Sequence, residues 1–251
     1  QILGAMMILL IGYVAFSTIP PVGTAIKETF APSSVNLMAI ITLIGGTVGG
    51  YIMFSGGHRL IDAGIVGEEN LPQVNKSAIL GMSVATIVRV FLFLAVLGVV
   101  SLGNQLDAGN PAADAFKIAA GTVGYKIFGL VFLAAALTSI VGAAYTSVSF
   151  LKTLFKVVKD NENFFIIGFI VVSTLILIFL GKPVKLLVLA GSLNGLILPI
   201  TLAITLIASK KEGIVGKYKH SNILFYLGWV VVLVTAYIGV KSLAKLAELF
   251  A

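Results

Sequence analysis

The sequence contains no cysteine, only two histidines and only ten acidic residues among its 251 positions. The absence of cysteine excludes disulfides, thiolate metal sites and cysteine catalysis. His58 and His220 lie on different segments, so they offer no histidine pair for a metal. Charged residues make up 11% of the chain, against about 25% in soluble domains. We therefore expect neither a soluble fold nor a nucleic-acid partner, although the net charge is +7.

The sequence consists mainly of long apolar runs. Hydrophobic residues account for 59% of the sequence, and a run of about 20 of them crosses a bilayer as one helix. The pattern predicts an all-α, multi-pass protein of the cell membrane, a single transmembrane domain over residues 1–251 with the lipid bilayer as its partner. We place seven spans at 2–18, 35–57, 79–102, 127–151, 164–180, 184–208 and 223–240. Because the chain starts inside an apolar segment, we expect a piece of a longer polypeptide whose N-terminal helices are missing here.

The loops on one side of the predicted spans contain more basic residues than the loops on the other side. The loops after spans two, four and six carry nine of them, Arg59, Lys76, Lys152, Lys156, Lys159, Lys210, Lys211, Lys217 and Lys219. Loops rich in lysine and arginine stay on the cytoplasmic side. This set is therefore predicted to be cytoplasmic, which also places Gln1 there.

Span two holds four glycines in six residues: Gly45, Gly46, Gly49 and Gly50. Each interior glycine costs a helix roughly 1 kcal/mol relative to alanine, so the pattern predicts a helix broken near the bilayer midplane. Broken helices there are typical of transporter substrate sites. The carbonyls of residues 46–50 are candidate cation ligands, and the start of the next half-helix, near Tyr51, favours an anionic group. Close helix packing at these glycines is the alternative.

Four polar residues inside other spans are further candidates. The hydroxyls of Thr138 and Ser139 are predicted sodium ligands, unless they bond to their own helix backbone. Asn194 either shapes a cavity or joins two helices. Arg89 either faces the bundle interior, paired with a carboxylate from the missing part of the chain, or reaches back to the cytoplasmic interface. No aspartate or glutamate lies deep in any span, so a coupling carboxylate must come from elsewhere or the coupling chemistry differs.

Three segments resemble the NRAMP-type divalent metal transporters. Residues 42–51 (TLIGGTVGGY) resemble the broken sixth helix of that family, residues 132–146 its eighth helix, and residues 191–199 its tenth, with the late proline. The seven spans are then helices five to eleven of eleven. The resemblance implies two inverted five-helix repeats of the LeuT-like type, and transport of manganese or ferrous iron with protons. It also implies a substrate site shared between an Asp-Pro-Gly-Asn break in the first helix and a Met-Pro-His break in the sixth.

This chain departs from the Met-Pro-His break. Gly49 stands at the methionine position, Gly50 at the proline position and Tyr51 at the histidine position, and a further family histidine falls at Gly56. A methionine thioether selects soft transition metals, and glycine has no side chain to replace it. A hard cation such as Mg²⁺, held by backbone oxygens, or a small organic solute fits this site.

We therefore expect a secondary active transporter without enzymatic activity or a cofactor, moving Mn²⁺, Fe²⁺ or Mg²⁺ by alternating access with H⁺ or Na⁺ as coupling ion. The metal is expected on the backbone of Gly46 and Gly49, with Arg89 as a candidate intramembrane charge. The predicted binding residues are Gly46, Thr47, Val48, Gly49, Gly50, Tyr51, Thr138, Ser139 and Asn194. The alternatives are a sodium- or proton-coupled symporter of a small organic acid or amino acid, an intramembrane enzyme, and a non-transporting membrane subunit.

Overall fold

The computed structural model describes residues 2–48, 52–181 and 183–248, and their side chains except those of 52–55 and 243–248. These residues contain helices and no strand. The helices are α1 (Ile2–Ser17), α2 (Val22–Phe30), α3 (Leu37–Thr47), α4 (Ile52–Asp62), α5 (Leu71–Ser101), α6 (Pro111–Leu154), α7 (Lys156–Asp160), α8 (Glu162–Leu180), α9 (Pro183–Ala208), α10 (Glu212–Val215) and α11 (Asn222–Glu248).

Several of these helices have the length and composition of membrane spans. Within the described residues, α5, α6, α8, α9 and α11 qualify singly, and α1 with α2 forms a sixth candidate that is bent by 101°. The bend falls at Ile19-Pro20-Pro21, where proline cannot continue a helix. The all-α polytopic class predicted from the sequence is confirmed, and each predicted span coincides with one helix or, for span two, with two.

Two helices begin earlier than the apolar runs predict. Helix α5 starts at Leu71 rather than at Ile79. Helix α6 starts at Pro111, although its first turns are too polar to cross a membrane. Asn110 explains this start, because its side-chain oxygen accepts a hydrogen bond from the Ala113 amide at 3.3 Å and a proline suits the first helical position. Gly121, with φ of 63°, interrupts the helical backbone of α6.

The second predicted span is divided between two helices of eleven residues each. Asn36 caps the start of α3 by accepting a hydrogen bond from the Ala39 amide at 3.1 Å. Helix α3 ends at Thr47, where the Val48 amide still donates to the Ile44 carbonyl at 2.8 Å. Helix α4 begins at Ile52. Gly45 and Gly46 thus belong to the end of α3 and are helical, in contrast to the unwound segment expected from Gly46 onward, while residues 49–51 lie outside the described residues.

The chain forms two compact units, each made of two segments. The first comprises Gln1–Ser34 with Glu69–Gly142, and the second comprises Val35–Glu68 with Ala143–Ala251. In the first unit, α1 packs on α5. Its core includes Leu10, Ile11, Val14, Ala15, Ala95, Ala113, Phe116 and Phe128. The two phenylalanine rings are stacked with centroids 4.7 Å apart.

The second unit is built around α9, which packs against both α3 and α11. Glycines line the contact between α3 and α9. A Cβ atom on Gly45 would overlap the Gly191 carbonyl oxygen and the Gly195 nitrogen, and one on Gly191 would lie 2.9 Å from the Thr42 carbonyl oxygen. Small residues permit such backbone approach in membranes, where van der Waals packing drives helix association.

The adjacent glycines of α3 offer a matched test of this contact. We expect Gly45→Ala to lower the melting temperature of the detergent-solubilised full-length protein, because overpacking a tight contact costs about 1–3 kcal/mol. Gly46 faces open space, so Gly46→Ala should leave the melting temperature unchanged or slightly raised, since alanine is the better helix former. Equal thermal shifts for the two variants would contradict the glycine contact.

Candidate functional site

The C-terminal end of α3 is tied to α9 by one side chain. The last four carbonyls of a helix have no partner within it. The Nδ2 atom of Asn194 donates a hydrogen bond to the Gly45 carbonyl at 2.8 Å, so one of these carbonyls is satisfied from α9. Gly45 is buried and Asn194 is half-buried. Asn194 therefore caps the first half of the interrupted helix across the glycine contact. The sequence did not indicate which group Asn194 would bind.

A pair of hydroxyl groups holds the same two helices one turn earlier. The Oγ1 atom of Thr42 lies 2.8 Å from the Oγ atom of Ser192, and Ser192 is only 1% exposed. Each hydroxyl also lies within hydrogen-bond distance of a carbonyl of its own helix, Thr42 of Met38 and Ser192 of Val188. Because a hydroxyl has a single proton, one of the two donates to the other, which in turn donates to its own helix. Together with the Asn194 hydrogen bond, this pair fixes the register of α3 on α9.

Helix α9 has an irregularity of its own beside Asn194. Pro199 lies inside α9 and is buried. Because proline has no N–H, the Gly195 carbonyl loses the donor that residue 199 would otherwise supply. A Cβ atom on Gly195 would lie 2.5 Å from the Ile41 carbonyl oxygen. The last turns of α3 therefore face a segment of α9 in which the regular backbone hydrogen bonding is also broken.

The two helix ends carry opposite partial charges. The C-terminus of α3 attracts cations and the N-terminus of α4 attracts anions, each with about half an elementary charge. Gly46, Thr47 and Val48, all predicted as binding residues, are exposed at the end of α3. Their backbone oxygens belong to the negative end of that helix. The predicted roles of Gly49, Gly50 and Tyr51 lie outside the described residues.

The hydroxyl candidates of α6 are placed differently. Thr138 and Ser139 are exposed and belong to the first unit. The Thr138 hydroxyl donates to the carbonyls of Ala134 and Ala135 at 3.2 and 2.9 Å, which is the backbone bonding expected of threonine in a membrane helix. Their role as sodium ligands stays a prediction.

Arg89 also belongs to the first unit, on α5. Its exposed side chain lines a cavity of about 590 Å³ whose wall is mainly apolar, with Val22, Ile26, Val90 and Phe93. No ion pair of Arg89 occurs within the described ranges. Pairing with a carboxylate outside these residues and reach to the interface both stay predictions.

The second unit also contains a polar cluster that the sequence did not predict. The Asp62 carboxylate, at the end of α4, accepts hydrogen bonds from Ser149 at 2.8 Å, Lys152 at 3.0 Å and Tyr145 at 3.4 Å. Lys152 also pairs with Glu162 at 3.4 Å. Ser149 and Lys152 lower the pKa of the Asp62 carboxyl below its usual range, because both favour its charged form. The sequence signal was the three donors spaced along one face of α6.

The cluster secures the far end of the interrupted helix. Arg59 of α4 lies over the Tyr145 ring at 5.3 Å, and the His58 ring is 5.5 Å from the Phe150 ring. Helix α4 is thus fastened to α6 at its C-terminal end, while Asn194 fastens the end of α3 to α9. Among the described residues no group of three or more histidine or acidic side chains is placed to hold a metal.

The comparisons with known proteins concern the chain as a whole. The model of the Nramp family, described as natural resistance-associated macrophage protein-like, matches residues 1–245. The chain belongs to the Nramp family. It is 57% identical over 243 residues to the Uncharacterized membrane protein YcsG of Bacillus subtilis, covering 97% of this chain and 60% of that relative. It is 49% identical over 250 residues to an Uncharacterized membrane protein of Haemophilus influenzae, covering 100% of this chain and 63% of that relative.

No solved structure matches the chain. The chain spans less than two thirds of the length of both Nramp relatives, so each of them contains residues with no counterpart here. The family confirms the resemblance seen in the three segments and supports an integral membrane protein.

The Asp62 cluster predicts a pH-dependent stability. A carboxyl whose pKa is lower in the folded state stabilises the fold above its unfolded pKa, near 3.9, and loses this effect as pH falls through the folded value. We expect Asp62→Asn to lower the melting temperature at neutral pH, and the gap from wild type to narrow as the pH falls below about 4.

Asp160→Asn is the matched control for this variant. Asp160 is exposed and has no ion pair in the described part of the chain. Its replacement should leave the melting temperature close to that of wild type throughout the titration. A gap for Asp62→Asn that does not vary with pH would show that the carboxylate charge is not what holds α4 to α6.

Proposed function

We propose that this chain forms the larger part of an Nramp-type secondary transporter, which moves a divalent metal cation across the cell membrane by alternating access. The observation that carries the proposal is the division of one predicted span into α3 and α4, with Asn194 hydrogen-bonded to the end of α3. Helices interrupted in this way bind ions and substrates at the midplane of transporters. We propose neither an enzymatic activity nor a bound cofactor for this protein.

The proposed cation site is made largely of backbone oxygens. The carbonyls at the end of α3, beginning at Gly46, supply hard ligands at the negative end of a helix. Gly49 and Gly50 stand where the family resemblance implies methionine and proline, so a soft ligand is missing from this helix. This donor set favours Mg²⁺ or Mn²⁺ over softer transition metals such as Fe²⁺.

The charge of a bound cation has to be balanced. Helices α3 and α9 contain no aspartate or glutamate, and Asp62 is already engaged at the far end of α4. We propose that the missing N-terminal helices supply the acidic ligand and the group that carries the coupling H⁺ or Na⁺. Thr138 and Ser139 are retained as ligands of the coupling ion under this proposal.

A sodium- or proton-coupled symporter of a small organic acid or amino acid is the second candidate. Two observations favour it. The N-terminal end of α4 attracts an anionic group, and Arg89 has no ion pair among the described residues. Each feature taken by itself suits a carboxylate substrate, and neither suits a metal cation.

Transport by the full-length protein separates these functions. Reconstituted in liposomes with a pH or sodium gradient, it should accumulate Mn²⁺ or Mg²⁺, measured with ion-sensitive dyes inside the vesicles. Uptake of small carboxylates or amino acids without any uptake of divalent cations would replace the metal proposal with the second candidate. Absence of transport of either class under every gradient would leave a non-transporting membrane subunit.

Asn194 provides a residue-level test. We expect Asn194→Ala to reduce the initial rate of cation uptake about fivefold, because losing one hydrogen bond of about 1 kcal/mol frees the end of α3. Asn163, an exposed asparagine on α8, is the matched control, and Asn163→Ala should transport at the wild-type rate. Equal uptake by the two variants would show that the cap on Gly45 has no part in transport.

A further inference from the structure

The connection between α6 and α8 differs from an ordinary hydrophilic loop. Residues 155–161 join two helices that each qualify as a membrane span, so they lie at the membrane–water interface. The sequence predicts this side to be cytoplasmic. This connection nevertheless carries exposed apolar side chains, with Phe155, just before α7, at 56% and Val157, in α7, at 66% exposure. Apolar groups at this depth are suited to contact with lipid.

Two cavities adjoin each other at this connection. One, of about 580 Å³, is lined by Lys152, Thr153, Leu154, Lys156, Lys159 and Asp160. The other, of about 530 Å³, is mainly apolar and is lined by Phe155, Val157, Val158 and Phe165 in addition to Leu151. Leu154 and Lys156 line both cavities. A basic compartment therefore opens directly beside an apolar one.

The lysines of the basic cavity are not equivalent. Lys152 is engaged by Asp62 and Glu162, so its charge is already compensated. Lys156 and Lys159 are exposed and form no ion pair within the described ranges. The lining of this cavity includes one acidic residue, Asp160, against the two ammonium groups of Lys156 and Lys159. The residues that line the cavity are therefore basic toward an anionic ligand at Lys156 and Lys159, while Asp62 and Glu162 offset the charge of Lys152.

We propose that this pair of cavities binds an anionic glycerophospholipid of the cytoplasmic leaflet. The lipid phosphate lies between the ammonium groups of Lys156 and Lys159, and an acyl chain lies along Phe155, Val157 and Phe165. Basic pockets beside membrane helices on the cytoplasmic side recognise lipid head groups by this chemistry. The proposal concerns a site separate from α3 and α9 and does not depend on the transported substrate.

The apolar cavity decides between a lipid and the other anionic ligands. A free phosphate or an acidic protein segment would use the lysines and leave the apolar cavity empty. An amphiphile fills both, since its charged and apolar parts are adjacent in the same way as the two cavities. Location at the interface brings the acyl chain to the apolar cavity without leaving the bilayer.

The test uses the full-length protein purified in detergent and incubated with phosphatidylglycerol, with phosphatidylcholine, or with inorganic phosphate. Bound lipid is counted by native mass spectrometry and the affinity is taken from the rise in melting temperature. We expect phosphatidylglycerol to be retained and phosphatidylcholine and phosphate to have little effect. Each lysine near an anionic surface contributes about fivefold in affinity, so Lys156→Gln with Lys159→Gln should weaken retention roughly 25-fold.

Two further variants complete the design. Lys217→Gln with Lys219→Gln removes the same charge from another exposed loop on the same predicted side, and it should retain phosphatidylglycerol as wild type does. Phe155→Ser should weaken retention while leaving both lysines in place. The proposal is overturned if the two lysine pairs behave alike, if phosphatidylcholine binds equally well, or if inorganic phosphate stabilises the protein as much as phosphatidylglycerol.

Discussion

The close approach of α3 to α9 is the constraint on which the second unit depends. Gly45, Gly191 and Gly195 leave no room for a side chain between the two backbones. Only at that separation can the short side chain of Asn194 reach the Gly45 carbonyl, and only there do the hydroxyls of Thr42 and Ser192 meet. These glycines therefore bring the two helices together just before the end of α3, where an ion site is proposed.

Under the proposed function, this arrangement lets a chain with few intramembrane charges contribute to an ion site. Backbone carbonyls at the end of α3 and the partial charges of two helix ends supply the electrostatics that side chains supply elsewhere. The end of α4 away from the interruption is held by side-chain hydrogen bonds, because the Asp62 carboxylate accepts from three donors on α6. The interrupted helix is thus held at two places, by α9 near the glycines and by α6 at the interface.

The sequence predicted the helices well because membrane spans are a local property of hydrophobicity and length. It also predicted that the second span is divided, as α3 and α4 are, and it predicted the family, since three segments carry the resemblance. It did not predict the partners of Asn194 and Asp62, because these are distant in the sequence. Gly45 is 149 residues from Asn194, and Ser149 is 87 residues from Asp62. Nor did it predict the full length of α6, because the Asn110 cap and Pro111 extend a helix through polar residues that hydropathy excludes from a span.

The central claim is that the end of α3 supplies backbone ligands to a cation while Asn194 holds it in place. An experimental structure of the full-length protein with Mn²⁺ or Mg²⁺ tests this most directly. We expect the helix to end at Thr47, Asn194 to remain bonded to the Gly45 carbonyl, and a cation to lie about 2.1 Å from backbone oxygens beyond it. A continuous helix from α3 into α4 with no cation beside it would contradict the account.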